Sequence, residues 1–154
     1  MNLNFYNPIN EKLTNSVLKD VFTLNENNKP ALGGLESLDR LKDLYNFSML
    51  CGCSFINQKL IGFCLLMNQT SSYDSPNYGY FKAKYDEFLY IDRVAVKADH
   101  QRKGIGTLIY QKLYTLSKQR NIPLCCEVNT FPLNQQSLDF HFKNKFKIIE
   151  EVDF

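Results

Sequence analysis

Six residues near the middle of the chain, Gln101-Arg102-Lys103-Gly104-Ile105-Gly106, combine the features that hold an anion. Gly104 and Gly106 remove side-chain bulk, Arg102 and Lys103 bring positive charge, and a helix-patterned segment, residues 105–119, begins within the turn. The first N–H groups of a helix have no intrahelical acceptor, so a phosphate or pyrophosphate held largely by main chain is the expected ligand. A β-branched run, Val94-Ala95-Val96, leads into this turn through the polar connection Lys97-Ala98-Asp99-His100. Two familiar phosphate loops fail here. No lysine follows Gly106, as a Walker A loop requires, and Ile109 stands where a dinucleotide fingerprint needs its third glycine. The pattern that remains is Q/R-x-x-G-x-G/A between a strand and a long helix.

The surrounding elements are those of one α/β domain spanning residues 1–154. Leu13, Val17, Leu18, Val21 and Phe22 recur at helical spacing, as do Leu35, Leu38, Leu41, Leu44 and Tyr45. An Asn-, Pro- and Gly-rich loop at residues 25–34 separates the two helices. Residues 47–56 and 60–67 read as strands joined by Asn57-Gln58-Lys59, the second apolar on both faces as a central strand is. A polar loop (69–76) and a short helix (78–85) lead to a strand at 88–96. There the alternation steps from Leu89 and Ile91 to Val94 and Val96, which predicts a β-bulge near Asp92 and Arg93. After the 105–119 helix come a strand at 122–128, a helix at 134–144 and a final strand at 146–152.

Composition narrows the function classes. A net charge of +2, without a basic patch beyond the turn, argues against a nucleic-acid partner. The longest apolar run, residues 60–67, is too short to span a bilayer, so no membrane partner is expected. Residues 1–6 lack the charged and apolar regions of a signal peptide. Cys51, Cys53, Cys64, Cys125 and Cys126 have no histidine at zinc-ligand spacing, so they read as buried small hydrophobes in a reducing cytoplasm, with no metal.

From Val94 through the helix that follows Gly106, the chain resembles the coenzyme-A-binding motif of the GNAT superfamily of N-acetyltransferases. The hairpin with Gly62 and the segment Glu127-Val128-Asn129, Asn134, Ser137 and Phe140-His141-Phe142-Lys143-Asn144-Lys145-Phe146 resemble other parts of that fold, so the likeness runs from about Leu13 to Phe146. Tyr73-Asp74-Ser75-Pro76-Asn77-Tyr78 and Phe88-Leu89-Tyr90-Ile91-Asp92-Arg93 are similar to a subgroup of bacterial predicted acetyltransferases of unassigned substrate. The resemblance implies a mixed, mostly antiparallel sheet flanked by helices. Two positions depart from it: Lys145 replaces the glycine before the last phenylalanine, and no seventh strand follows residues 146–152. Either the sheet is one strand short or a second copy, in a homodimer, covers its edge.

The resemblance also implies roles. Backbone N–H groups of Gln101, Arg102, Lys103, Gly104, Ile105 and Gly106 cradle the pyrophosphate of acetyl-CoA, and the pantetheine arm runs beside Val94, Ala95 and Val96, with Asn134 and Ser137 also on the coenzyme side. A bulge there frees an N–H for the thioester carbonyl. Glu127 is the candidate base for the acceptor amine, and His141 stands where the family has a tyrosine that protonates the thiolate. Tyr73, Asp74, Asn77 and Tyr78 lie over the acceptor, where rings and a carboxylate suit a cationic amine; alternatively Asp74-Ser75-Pro76 only caps a helix. Asp92 and Arg93 either pair to fix the bulge or line the cleft. The expected function is acetyl transfer from acetyl-CoA to a primary amine, of a small molecule or a peptide, by direct attack on the thioester. The competing readings are a non-catalytic acyl-CoA sensor and a structural subunit.

Overall fold

Side chains that imitate a backbone acceptor start most of the helices. Thr14 Oγ1 accepts from Val17 N–H at 3.2 Å to open α1 (Asn15–Glu26), and Ser37 Oγ accepts from Arg40 N–H at 3.2 Å to open α2 (Leu38–Phe47). Ser75 caps α3 (Pro76–Lys84), with Pro76 in its first turn, and Asn134 caps α5 (Gln135–Lys143). Helix α4 (Ile105–Arg120) differs: its N-cap is Gly104, and no side chain covers its first N–H groups. The computed structural model describes residues 1–153, and these helices flank a five-stranded sheet in the order β1-β2-β3-β4-β5.

β1 (Asn2–Tyr6), β2 (Leu50–Ile56), β3 (Lys59–Asn68) and β4 (Leu89–Val96) run antiparallel, each to the next, and β5 (Leu124–Cys125) joins β4 in parallel. The β2–β3 turn carries positive φ at Asn57 (51°) and Gln58 (64°), as two-residue hairpin turns of the primed types require. Phe63, Leu65 and Met67 of β3 pack under α1, α2 and α3, while Ile61, Cys64 and Leu66 pack under α4. Both faces of this strand are therefore buried, in agreement with its unbroken apolar sequence.

The bulge falls where the alternation shifts. Leu65 pairs with Arg93 and Leu66 with Ile91, so Asp92 is the additional residue. Leu89, Ile91, Val94 and Val96 consequently all face the α4 side, while Tyr90 and Ala95 face the other.

Three expectations need correction. Residues 2–6 form an edge strand, carried by alternate packing of Leu3 and Phe5 against the α4-side core. The strand expected at 122–128 shortens to Leu124–Cys125, because β4 diverges beyond Tyr90. No strand forms at 146–152: the segment is without a ladder partner, and Tyr80 donates to the Glu150 carboxylate across it. All five cysteines are free thiols, four buried and Cys126 half-buried.

Lys145 explains its departure from glycine in structural terms. Phe146 N–H donates to His141 O at 3.0 Å and Lys145 N–H to Phe142 O at 3.0 Å, the paired bonds of a Schellman helix end. Lys145 holds the left-handed position of that motif, with φ 70°. Gly52 is demanded by space instead: a Cβ there would lie 2.7 Å from Cys64 Sγ and 3.0 Å from the Phe5 ring. Lys145→Gly is expected to stabilise the fold by about 1 kcal/mol by relieving a left-handed non-glycine residue, and Gly52→Ala to destabilise it by about 1–3 kcal/mol through overpacking. Chemical denaturation at equilibrium measures both, and opposite signs from those stated would refute the assignments.

Candidate active site

β4 and β5 pair only at Leu89–Leu124 and Tyr90–Cys125. Beyond those pairs the strands separate, and the edge of β4 from Ile91 onward opens into a cleft of about 350 Å³. Strand edges left unpaired offer N–H and C=O groups to an extended ligand, as in β-strand addition. The other wall comes from the α1–α2 loop, and the bulge holds it in place. Arg93 Nε donates to Asp92 Oδ2 at 2.8 Å, and Arg93 donates through its terminal nitrogen to Asn25 Oδ1 at 2.9 Å and Gly33 O at 3.3 Å. Fully buried Asn25 adds a bond to Gly33 O at 3.1 Å. Asp92 and Arg93 thus do both things expected of them: they pair, and they line the cleft.

Glu127 follows β5 and projects into this space. Asn77 Nδ2 donates to its Oε1 at 2.8 Å, and the Tyr90 hydroxyl donates to its Oε2 at 2.5 Å. The residue is exposed because the cleft is open, yet its carboxylate sits among closely packed protein atoms. That desolvation, helped by Asp92 nearby, raises its pKa above the usual carboxylate range, against the pull of the two hydrogen bonds. Burial and the negative charge of Glu127 push the Tyr90 phenol strongly upward, so it stays a neutral donor. Burial and Asp92 push Tyr73 up to about 12. A carboxylate shifted upward and held by fixed neutral donors holds a proton more readily than an ordinary one.

At the other end of the cleft His141 Nε2 lies 2.8 Å from the Tyr110 hydroxyl, and Nδ1 lies 2.6 Å from Ser137 O. Burial lowers the His141 pKa. Among the described residues no carboxylate bonds the ring. The α4 N-terminus stands beyond, with Gly104 at φ 82° and Arg102 at φ 62° curling the turn ahead of it. Leu108 N–H is the first to find an intrahelical partner, Gly104 O, which leaves the N–H groups of Ile105, Gly106 and Thr107 for a ligand. Arg102 and Lys103 are exposed, and among the described residues neither forms an ion pair. Gln101 is committed differently: its side-chain amide donates to Val96 O at 2.9 Å and ties the turn to the end of β4.

The description "Acetyltransferase (GNAT) family" belongs to the family model that matches residues 18–146. The chain belongs to this family. No curated protein sequence matches it. Among solved structures, an aminoglycoside 6'-N-acetyltransferase from Acinetobacter haemolyticus superposes with a TM-score of 0.71 at 15% identity, over 100% of this chain and 96% of the other. A second aminoglycoside acetyltransferase, AAC(6')-Iy with a bisubstrate analogue, gives 0.69 at 11% identity over 100% and 97%. The ribosomal-protein-alanine N-acetyltransferase of Brucella melitensis biovar Abortus gives 0.65 at 11% identity over 100% and 98%. These likenesses concern the fold.

Some of the expected site residues share the cleft, whereas Ala95, Val96 and the turn from Gln101 to Gly106 do not line it. Glu127, His141, Asn134, Ser137, Val94, Tyr73 and Asn77 line the cleft. Two acceptor candidates do not. Tyr78 is buried in the core and donates to Asn68 O at 2.7 Å, and Asp74 is exposed outside the cleft. Asn134 lines the cleft while also capping α5. Sequence reasoning missed Tyr90, which bonds Glu127, and Tyr110, Ala31, Leu32 and Gly33, which line the cleft. Tyr90 and Tyr110 sit at apolar-periodic positions of a strand and a helix, so pattern alone reads them as core. The residues present fit a coenzyme with a pyrophosphate and an extended arm, through the bare α4 N-terminus and the open β4 edge. Among the described residues no cluster with metal-ligand composition occurs, and no helix is long and apolar enough to cross a membrane.

Because folding raises the Glu127 pKa, its contribution to stability is full below the ordinary carboxylate range and is lost as pH rises through the folded value. Glu127→Gln is therefore expected to melt higher than the parent near neutral pH, with the gap closing in acid. Thermal unfolding across a pH series measures this, and a gap that widened in acid would contradict the desolvated carboxylate.

Proposed function

We propose that this chain is an acetyl-CoA-dependent N-acetyltransferase that acetylates a primary amine, on a small molecule or a peptide, by direct attack on the thioester. The observation that carries the reading is Glu127, hydrogen-bonded by Asn77 and Tyr90 at the divergence of β4 and β5, in the same cleft as the open β4 edge. The N–H groups of Ile105, Gly106 and Thr107, with Arg102 and Lys103 beside them, would hold the pyrophosphate. Val94, Ala95 and Val96 would line the pantetheine arm, and the bulge at Asp92 turns the backbone where the thioester carbonyl needs a donor.

A free alkyl amine has a pKa of about 10, so the acceptor arrives largely protonated. Glu127 takes a proton from it, directly or through water, and its raised pKa brings it closer to the operating range of a general base. Tyr73 and Asn77 on one side and the Ala31-Leu32-Gly33 loop on the other bound the acceptor end. The fold neighbours that act on aminoglycosides and on a ribosomal protein's alanine are consistent with an amine acceptor. The unpaired edge of β5 and the ladder-free segment 146–152 support a homodimer in which a second copy covers that edge. Four buried free thiols fit a reducing, cytoplasmic setting.

Thiol release from acetyl-CoA with a panel of primary amines tests the reading. Glu127→Gln is expected to lower kcat/KM by about 10²–10⁴-fold and to remove the acid limb of its pH profile, which should lie above the ordinary carboxylate range. Tight coenzyme binding without turnover on any amine would favour a sensor instead, and absence of coenzyme binding would overturn the site assignment.

A further inference from the structure

Arg93 leaves two of its hydrogens unused. Its Nε donates to Asp92 Oδ2 at 2.8 Å, and its Nη1 donates to Asn25 Oδ1 at 2.9 Å and to Gly33 O at 3.3 Å. A guanidinium carries five N–H groups, so the pair on Nη2 is left, and among the described residues it has no acceptor. Nor is it sealed inside the protein: Ser54 Oγ is the one buried side-chain polar atom without a partner among the described residues. The Arg93 side chain is 11% exposed and lines the cleft that holds Glu127. Anchored to the bulge and to the α1–α2 loop through its other hydrogens, it presents a fixed pair of donors to whatever occupies that cleft.

Charge decides what those donors meet. Asp92, with its side chain 4% exposed, already answers the guanidinium, so the ion pair as a whole is neutral. A carboxylate on the acceptor would stand beside Asp92 and Glu127 without a cation of its own, and like charges disfavour the ionised form. An uncharged carbonyl oxygen accepts from Nη2 without that repulsion. The base points the same way. A carboxylate, even one raised by desolvation, is poorly matched to an alkyl ammonium of pKa about 10. An amine with a carbonyl on the neighbouring carbon titrates at about 7.7–8.0, as α-amino groups do, so near neutral pH about a hundredfold more of it is free.

Resting on the acetyl-transfer reading above, we infer that the acceptor is an α-amino amide and that Arg93 is the residue that selects it: the amine lies at Glu127, and the adjacent carbonyl oxygen accepts from Arg93 Nη2. Tyr90 and Arg93 leave β4 on either side of the bulge at Asp92, one to hold the carboxylate and the other to hold the carbonyl. The N-terminus of a peptide and a free amino-acid amide both present this group.

Steady-state kinetics of the full chain with acetyl-CoA test the inference, each kcat/KM being divided by the fraction of acceptor present as free amine so that basicity cancels. The acceptors are alaninamide, an alanyl tripeptide, alanine and isopropylamine, which lacks the carbonyl. After that correction the parent is expected to prefer alaninamide over isopropylamine by about 10- to 100-fold, the range for a hydrogen bond from a charged donor, and to prefer it over alanine. Arg93→Lys keeps a cation for Asp92 but gives up the guanidinium fork, and should lose most of the preference. Asn25→Ala loosens the loop and leaves Nη2 in place, so it should lower all acceptors alike and keep the preference. The parent's own ratios decide the matter even where a variant fails to fold. Nitrogen-15 shifts of the Arg93 guanidinium should move when alaninamide is added to the chain bound to coenzyme A, and stay when isopropylamine is added. Turnover of the tripeptide identifies a peptide N-terminus as the source and its rejection beside good turnover of alaninamide identifies a small amide; both support the inference. Corrected rates for isopropylamine equal to or above those for alaninamide, a preference for alanine, or a preference untouched in Arg93→Lys overturns it while leaving acetyl transfer intact. Absence of turnover on any amine overturns the acetyl-transfer reading and this inference with it.

Discussion

The parting of β4 and β5 after two residue pairs governs the rest of the structure. A ladder that continued would satisfy its own N–H and C=O groups and leave nothing for a ligand. By stopping at Tyr90 and Cys125 it leaves one strand edge free inside the protein rather than at its rim. The bulge at Asp92 changes which side chains face each layer at the same point. Helix α4, the crossover between the two strands, covers one face with Ile105, Ile109 and Leu113, and begins beside the opening. The bare α4 N-terminus, the open strand edge and the Glu127 cleft therefore trace to one topological break.

Charge in the cleft is arranged to keep a single carboxylate adjustable. Asp92 is paired with Arg93 at 2.8 Å, and its side chain is 4% exposed. Among the described residues Glu127 has no cationic partner and is held by an amide and a phenol instead. A cation in place of Asn77 would depress its pKa. Neutral donors fix its geometry without that cost.

Much of this was legible in the chain. The switch from Leu89 and Ile91 to Val94 and Val96 located the bulge, because a parity change in a strand has few other causes. Gly104 and Gly106 marked the turn, since bare N–H groups need small residues. Glu127 and His141 were found by their place relative to the α4 motif, and the structure brings them to one cleft. Residues that reach the site from regular apolar positions were not legible: Tyr90 and Tyr110 satisfy strand and helix periodicity, and only the third dimension shows where their hydroxyls end. Tyr78 failed in the opposite sense. Its loop context suggested a ligand contact, whereas its ring fills the core between Tyr73, Phe88 and Tyr90. The strand expected at 146–152 has apolar residues at 146, 148, 149 and 152, but apolar content cannot supply a strand with its neighbour.

The Arg93 bond to Asn25 joins residues 68 apart in the chain. The Asn77–Glu127 bond spans 50, Tyr90–Glu127 spans 37 and Tyr110–His141 spans 31. Each of these bonds closes a long loop whose entropy the docked layers must offset, as do the β1–β2 and β3–β4 pairings. The site therefore exists only where the layers have docked. Its hydrogen bonds then serve as a readout of complete folding, and a chain that retains its secondary structure without docked layers would have no cleft.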